Sequence, residues 1–128
     1  MKIEVSIGEV VDKITILQIK KEKISDELKL EHVEKELTIL ESTLKNSKIL
    51  VPEKLIQKLK DVNLKLWDAE DVIRDRENKD LFDEEFIKCA RLDAKLNDER
   101  FLVKNEINNV CQSNIKEQKS YEGLYSAN

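Results

Sequence analysis

The sequence feature that most restricts the fold is the apolar periodicity of residues 86–110. On a helical wheel these residues form one broad apolar face, and polar side chains run along the middle of that face. The apolar positions are Phe86, Cys89, Ala90, Ala94, Leu96, Phe101, Val103 and Ile107, and the polar ones are Asp93, Asn97, Arg100 and Lys104. Polar groups in such a position are costly to bury without partners. We therefore expect another polar surface to lie against this helix.

Composition extends the helical interpretation to the whole chain. Charged residues make up 39% of the sequence and aromatic residues 5%, with two glycines and one proline, which favours long helices over sheets with tight turns. Start and stop signals place helices near 6–25, 28–46, 52–78 and 83–112. The predicted fold is all-α, a single antiparallel four-helix bundle (up-down-up-down) over residues 1–112 with long third and fourth helices. A short C-terminal tail, residues 113–128, frays or packs along the bundle.

The start of the first helix carries the clearest local signal. Ser6 followed by Glu9 fits a capping box, and Val5 with Val10 fits a hydrophobic staple. The first helix should therefore begin at Ile7. Its apolar residues lie on two sides, which predicts that it is sandwiched inside the bundle or against another chain.

The later helices have their own signals. Pro52 suits the first turn of the third helix, and Asp83 is the expected N-cap of the fourth, with Phe82 stapling to Ile87. The second helix shows the alternating spacing of a coiled-coil seam at Leu30, Val33, Leu37, Leu40 and Leu44. The tail is expected to contact the bundle, if it does so, through Ile115, Tyr121, Leu124 and Tyr125.

Several classes of function are not expected from this sequence. The net charge of −4 and the interleaving of Lys with Glu predict no nucleic-acid partner. No apolar run is long enough to cross a membrane and no signal peptide is recognisable, so we expect a cytoplasmic protein. Cys89 and Cys111 are expected to be free thiols, and the single histidine, His32, cannot complete a zinc or di-iron site. No cofactor, metal ligand or catalytic residue is predicted.

A second line of polar residues lies on the third helix. If the third and fourth helices form an antiparallel hairpin, residues whose numbers add to about 163 lie at the same level, so that Glu70 faces Asp93. The candidate set for a ligand site or a buried polar network is Asn63, Glu70, Arg74, Glu77, Asp93, Asn97, Arg100 and Lys104. Gln18 and Lys21 of the first helix are possible additions.

Two interpretations of this set stay open. Its charges nearly balance, which favours a closed ion-pair network that fixes the register of the helices. In an open pocket, Arg74, Arg100 and Lys104 would instead bind a small anionic molecule, while Glu70 and Asp93 would share a proton or hold a divalent cation. Nucleophilic catalysis is not expected, because Cys89 has no nearby histidine and lies on the apolar face.

Four stretches of the chain resemble a family of small uncharacterised all-helical bacterial and phage proteins, a domain of unknown function. These stretches are VSIGEVVDKITILQIKKEKI, LWDAEDVIRDRE, FIKCARLDAKLNDERFLVKNEIN and KEQKSY. The resemblance covers nearly the whole chain and implies a compact stand-alone domain. It implies no activity, ligand or catalytic residue.

Several apolar residues lie outside the main apolar faces of the predicted helices, and they bear on the function of the protein. They are Ile16, Ile19, Ile39, Leu64, Val72, Leu92 and Leu102. So many on a small domain favour a homodimer or a surface for a partner protein. The leading hypothesis is therefore a non-enzymatic helical interaction or assembly module that self-associates. The alternative is a small-molecule-binding or metal-assisted enzyme whose site lies between the third and fourth helices and binds an anionic ligand.

Overall fold

The computed structural model describes residues 1–113 and 115–120. Within those ranges the protein is all-α, with four helices and no strand. The helices are α1 (Ile7–Lys23), α2 (Glu27–Asn46), α3 (Glu53–Asn78) and α4 (Glu84–Val110). None of them combines the length and the apolar character needed to cross a bilayer. The class, the number of helices and their approximate limits agree with the prediction.

The predicted caps at the helix starts are present in part. The Ser6 hydroxyl accepts a hydrogen bond from the backbone N–H of Glu9, and the Asp83 carboxylate accepts one from that of Phe86. Glu9 does not complete a capping box, because its carboxylate binds Lys104 of α4 instead. Phe82 makes an edge-on ring contact with Phe86, with centroids 5.2 Å apart.

Helix α1 is the central element of the fold. It packs against each of the other three helices, and α3 packs against α4. This position explains the apolar residues on two sides of α1: Val11 and Leu17 are buried, and so is Ile19 on the other side. The sandwich predicted for this helix is thus formed within the chain. The arrangement of all four helices as an up-down-up-down bundle stays a prediction.

Two apolar clusters hold α1 in place. The first joins α1 to both long helices through Val11, Leu55, Leu59, Val103 and Ile107. The second joins α1 to α2 through Ile14, Leu17, Val33 and Leu37. Leu44, near the end of α2, packs against both. The coiled-coil-like seam of α2 therefore lies against α1.

The two longest helices, α3 and α4, pack against each other as a hairpin. Contacts between its helices run in opposite order, since Lys58 pairs with Glu106 whereas Glu70 contacts Asp93. Burial falls off towards the turn. Within α3 no residue after Ala69 is buried, and within α4 Cys89 is the single buried residue before Leu96. We call residues 71–92 the hairpin tip.

The first turn of α1 lies directly on α4. A Cβ atom at Gly8 would come within 2.5 Å of the backbone oxygen of Lys104, so only glycine fits this approach without a shift of the helices. The backbone N–H of Gly8 donates to Asn108 at 2.7 Å, and that of Ile7 donates to Ser113 at 3.2 Å. These two side chains satisfy N–H groups that the start of a helix leaves unpaired.

Residues 115–120 follow α4 without forming a helix or strand. Glu117 reaches Lys104, and the Lys119 ammonium lies 5.9 Å from the centre of the Phe101 ring. This part of the tail thus packs on α4. The contacts predicted for Tyr121, Leu124 and Tyr125 lie outside the described residues, and the division into 1–112 and 113–128 stays a prediction.

Candidate functional site

The centre of the polar network is Asp12 of α1, a residue outside the predicted set. Its side chain is 1% exposed, and it binds Arg100 of α4 through two contacts, Nε to Oδ1 at 2.9 Å and Nη2 to Oδ2 at 2.5 Å. Asn63 of α3 donates a further hydrogen bond to Asp12 Oδ1 at 2.9 Å. One carboxylate therefore joins three helices. The hydrogen bond from Arg100 to Asp12 raises the pKa of the guanidinium and keeps it charged.

A threonine completes the inner part of this network. Asn63 also donates to the hydroxyl of Thr15 at 3.0 Å, and that hydroxyl donates to the backbone oxygen of Asp12 at 2.8 Å. Asn63, Thr15 and Asp12 are all buried. Polar groups that are buried and mutually bonded fix the relative position of helices, since any shift would leave one of them without a partner.

Lys104 forms the outer part of the network. Its side chain is 7% exposed, and its ammonium lies 2.9 Å from carboxylate oxygens of both Glu9 and Glu117 and 4.0 Å from Asp12. Burial alone would lower the pKa of Lys104, but the hydrogen bonds to Glu117 and Glu9 raise it overall. Burial alone would raise the pKa of Glu117, but the hydrogen bonds from Lys104 and Lys119 lower it overall. Both groups are therefore charged at neutral pH.

Glu70 and Asp93 form a separate carboxyl pair between α3 and α4. Burial, the hydrogen bond with Asp93 and the charge of Asp93 raise the pKa of Glu70, and the opposing charges of Arg74 and Arg100 do not cancel this rise. Asn97 donates to Asp93 Oδ2 at 3.2 Å, while Asp93 Oδ1 is buried without a hydrogen-bond donor among the described residues.

The structure divides the predicted site residues into three groups. Asn63, Arg100 and Lys104 meet at Asp12. Glu70, Asp93 and Asn97 lie together on the hairpin. Glu70, Arg74 and Glu77 are exposed, so these three side chains do not belong to a buried network. Gln18 is half-buried and Lys21 exposed.

The expectation that the polar residues of α4 face those of α3 is therefore only partly correct. The polar line of α4 faces α1 at Arg100 and Lys104, and it faces α3 at Asp93. Sequence reasoning missed Asp12, Glu9, Thr15 and Glu117 as partners. One signal could have found the first of these, because at 100° per residue Asp12 shares a side of α1 with Ile19, opposite the main apolar stripe.

Three cavities surround the Arg100 side chain. They have volumes of about 190, 220 and 240 Å³, and Arg100 lines all of them. The 220 Å³ cavity contains the outer part of the network and is lined by Glu9, Asn97, Arg100, Phe101, Lys104, Glu117 and Lys119. Its lining holds two acidic side chains, Glu9 and Glu117, and three basic ones, Arg100, Lys104 and Lys119. The network is thus closed at Asp12 and accessible to solvent at its edge.

Neither a metal-ligating cluster nor an activated thiol occurs among the described residues. These residues contain no group of three or more His, Cys, Asp or Glu side chains placed to hold a metal ion. Cys89 and Cys111 are free thiols. Burial raises the pKa of Cys89, as do the charge and the hydrogen bond of Glu85, and burial also raises that of Cys111. A raised pKa disfavours the reactive thiolate.

Comparison with protein-family models shows to which family the chain belongs. A family model described as a family of unknown function (DUF6165) matches residues 1–128. The chain belongs to this family. No curated protein and no solved structure matches it. Membership in DUF6165 agrees with the expected resemblance to a family of unknown function, and the bacterial or phage origin stays a prediction. The function must be argued from the geometry of the chain.

Proposed function

We propose that this member of DUF6165 is a non-enzymatic helical interaction module that self-associates. The first support is the closed state of the polar network. The carboxylate of Asp12 is bound by Arg100 and Asn63, and the ammonium of Lys104 lies between Glu9 and Glu117. Groups that are bound to one another in this way fix helix register and are not free to act on a substrate.

The observation that carries the proposal is the under-packed hairpin tip. Helices of this kind derive most of their stability from packing of an apolar face, yet α3 has no buried residue after Ala69. The tip instead exposes Leu81, Phe82, Ile87 and Leu92, each at 40–56%. A second protein surface over the tip would bury these side chains and complete the packing of both helices.

The direct test is the molar mass in solution. We expect sedimentation equilibrium between micromolar and millimolar concentrations to show a concentration-dependent dimer for the wild-type protein. Replacing Ile87 and Leu92 together by Ser should weaken that dimer, because it removes apolar surface from the tip. Ile39→Ser is the matched control, since Ile39 is 56% exposed on α2, away from the hairpin. A wild-type protein that stays monomeric at millimolar concentration contradicts self-association.

The charged cavity beside Lys104 supports a second candidate, the binding of a small anion. Arg100, Lys104 and Lys119 converge there, and the carboxylate of Glu117 occupies the position between the two lysines. An incoming phosphate or carboxylate would compete with Glu117 for these donors.

Calorimetric titration with inorganic phosphate tests the second candidate. Glu117→Gln should bind phosphate more tightly than the wild type, because it removes the competing charge. Lys119→Ala should bind it more weakly, whereas Lys35→Ala on the exposed face of α2 should have no effect. Absence of binding to both the wild type and Glu117→Gln would eliminate this candidate.

A further inference from the structure

A cavity of about 190 Å³ lies between α1 and α3. It is lined by Ile16, Ile19, Lys20, Asn63, Leu66, Trp67, Glu70 and Arg100. At Gly8, α1 lies directly on the backbone of α4, whereas the side chains further along α1, from Ile16 to Lys20, leave this space open. Its volume is that of about six water molecules, which suits a ligand smaller than most drug molecules. We call it the tryptophan cavity.

The tryptophan cavity has an apolar part formed by two helices. Ile19 of α1 and Leu66 of α3 are buried, and Ile16 and Trp67 are half-buried beside them. The accessible surface of an indole ring is large and mainly apolar. A ligand that covers it removes apolar area from water, so this part of the cavity favours a hydrocarbon group.

Two cations line the same cavity. Arg100 binds Asp12 through Nε and Nη2, and this pairing holds the guanidinium in one orientation. Its third nitrogen, Nη1, takes no part in these contacts and keeps its N–H groups for another acceptor. Lys20 and Arg100 also line the adjoining cavity of about 240 Å³, so both cations lie where the two cavities meet. Together they offer donors for a carboxylate.

The charges around the cavity restrict the kind of ion that fits. Among the lining residues Lys20 and Arg100 are basic and Glu70 is acidic, so a cationic ligand would meet two like charges. Glu70, and Asp12 where it is bound to Arg100, disfavour an anion with two negative charges such as phosphate. A singly charged carboxylate is the ion that this arrangement suits best.

We propose that the tryptophan cavity binds a small monocarboxylate with an apolar body. The carboxylate accepts hydrogen bonds from Nη1 of Arg100 and from the ammonium of Lys20, and the hydrocarbon part packs against Trp67 and Ile19. Binding makes and breaks no covalent bond. The inference goes beyond the proposed self-association. Its site is separate from the charged cavity beside Lys104, because the two linings share Arg100 alone.

The fluorescence of Trp67 gives a direct readout, because Trp67 is the single tryptophan of the chain. Titration with hexanoate and, separately, with phenylacetate should change this fluorescence in a saturable way. The titration should extend to about 10 mM, since a ligand with so few atoms binds with limited affinity. Hexan-1-ol lacks the charge and acetate lacks the apolar body, so each should bind at least about tenfold more weakly than hexanoate.

Lys20→Met tests the contact with the carboxylate. The substitution keeps most of the side chain's length and removes its charge, so hexanoate should bind about tenfold more weakly while hexan-1-ol is unaffected. Lys13→Met is the matched control, since Lys13 is exposed on α1 and lines the adjoining cavity but not this one. Circular dichroism confirms that the variants are folded, and Lys20→Gln replaces Lys20→Met if that variant unfolds.

Two further variants separate this site from the charged cavity. Glu70→Gln should bind hexanoate more tightly than the wild type, because it removes a repelling charge. Lys119→Ala should leave hexanoate binding unchanged, since Lys119 lines the charged cavity and not the tryptophan cavity.

The proposal is overturned if neither carboxylate gives a saturable fluorescence change or a heat of binding by calorimetry. It is also overturned if hexan-1-ol or acetate binds as tightly as hexanoate, or if Lys20→Met binds hexanoate as the wild type does. Hexanoate binding that is weakened by Lys20→Met and kept by Lys13→Met supports it. None of these outcomes depends on whether the protein is a monomer or a dimer.

Discussion

Asp12 shows at the residue scale how one side chain sets the positions of three helices. Its burial would be strongly unfavourable for a lone carboxylate. Arg100 and Asn63 supply the hydrogen bonds that make it tolerable. Removing one member of such a set leaves the others buried and unpaired, which costs more than the intact set contributes.

The first prediction concerns the pair of Asp12 and Arg100. Arg100→Leu should destabilise the protein by about 3 kcal/mol, because Asp12 loses its principal partner inside the core. Asp12→Leu together with Arg100→Leu should be more stable than Arg100→Leu alone. Urea unfolding of the single and double variants measures both effects.

The matched control for this cycle is the exposed pair of Lys58 and Glu106. Both side chains are about half exposed and their charged atoms are 3.9 Å apart, so their coupling should be within about 1 kcal/mol of zero. A double Asp12 and Arg100 variant less stable than either single variant would contradict the structural role of the network.

The second prediction concerns Glu70 and pH. A carboxyl group whose pKa is raised in the folded state favours folding at low pH, and this contribution is lost as the pH rises from 4.5 through the raised pKa. Glu70→Gln should therefore be more stable than the wild type at pH 7, and the advantage should vanish below pH 4.5. The gain should stay below about 1 kcal/mol, because Glu70 is largely exposed.

Thermal unfolding of both proteins across that pH range measures the difference. Glu77→Gln, an exposed change on the same helix, should leave the pH profile unchanged. If Glu70→Gln is less stable than the wild type at pH 7, the carboxyl pair is not under repulsion.

At the element scale, the distance between α1 and α4 depends on Gly8. The side chains of Glu9 and Asp12 reach Lys104 and Arg100 because the two helix backbones approach each other closely at Gly8. Glycine normally weakens a helix relative to alanine. Here the lost helix propensity is the cost of the close packing that forms the polar network.

The third prediction follows from this contact. Gly8→Ala should destabilise the protein by about 1–3 kcal/mol, because overpacking against the Lys104 backbone outweighs the gain in helix propensity. Lys13→Ala, at an exposed position of the same helix, should change stability by less than about 0.5 kcal/mol. Urea midpoints compare the two. A stabilised Gly8→Ala would show that α1 and α4 are not in tight contact.

At the scale of the whole molecule, packing is uneven. Helix α1 and the adjoining parts of α2, α3 and α4 form the buried core, whereas the hairpin tip is largely exposed. Regions with few buried contacts open locally at low free energy. The tip is therefore expected to be the part of the hairpin that opens most readily.

The fourth prediction concerns hydrogen exchange along the hairpin. In dilute protein, amides of residues 71–78 and 84–92 should exchange faster than those of residues 55–69 and 96–107. Raising the protein concentration should slow exchange in the first set, because self-association covers the tip. Amides of α2 should be unaffected. Exchange at the tip that does not depend on concentration would contradict its role as an interface.

The sequence by itself determined the helices. Periodicity and caps at Ser6 and Asp83 depend on neighbours within a few residues, so the class and the helix limits could be predicted to within two residues or so. Periodicity also showed that Arg100 and Lys104 share the buried side of α4. Helix limits, caps and the residues that share a helix face all depend on near neighbours in the sequence, so the sequence is enough to predict them.

Only the tertiary structure decided what faces those residues. Arg100 binds Asp12, which is 88 positions away, and Lys104 binds Glu9 and Glu117 from opposite ends of the chain. A helical pattern tells which side chains share a face but not which helix covers it. Because Lys and Glu are interleaved throughout the sequence, many pairings were electrostatically acceptable, and the approach of the helices at Gly8 selected one of them.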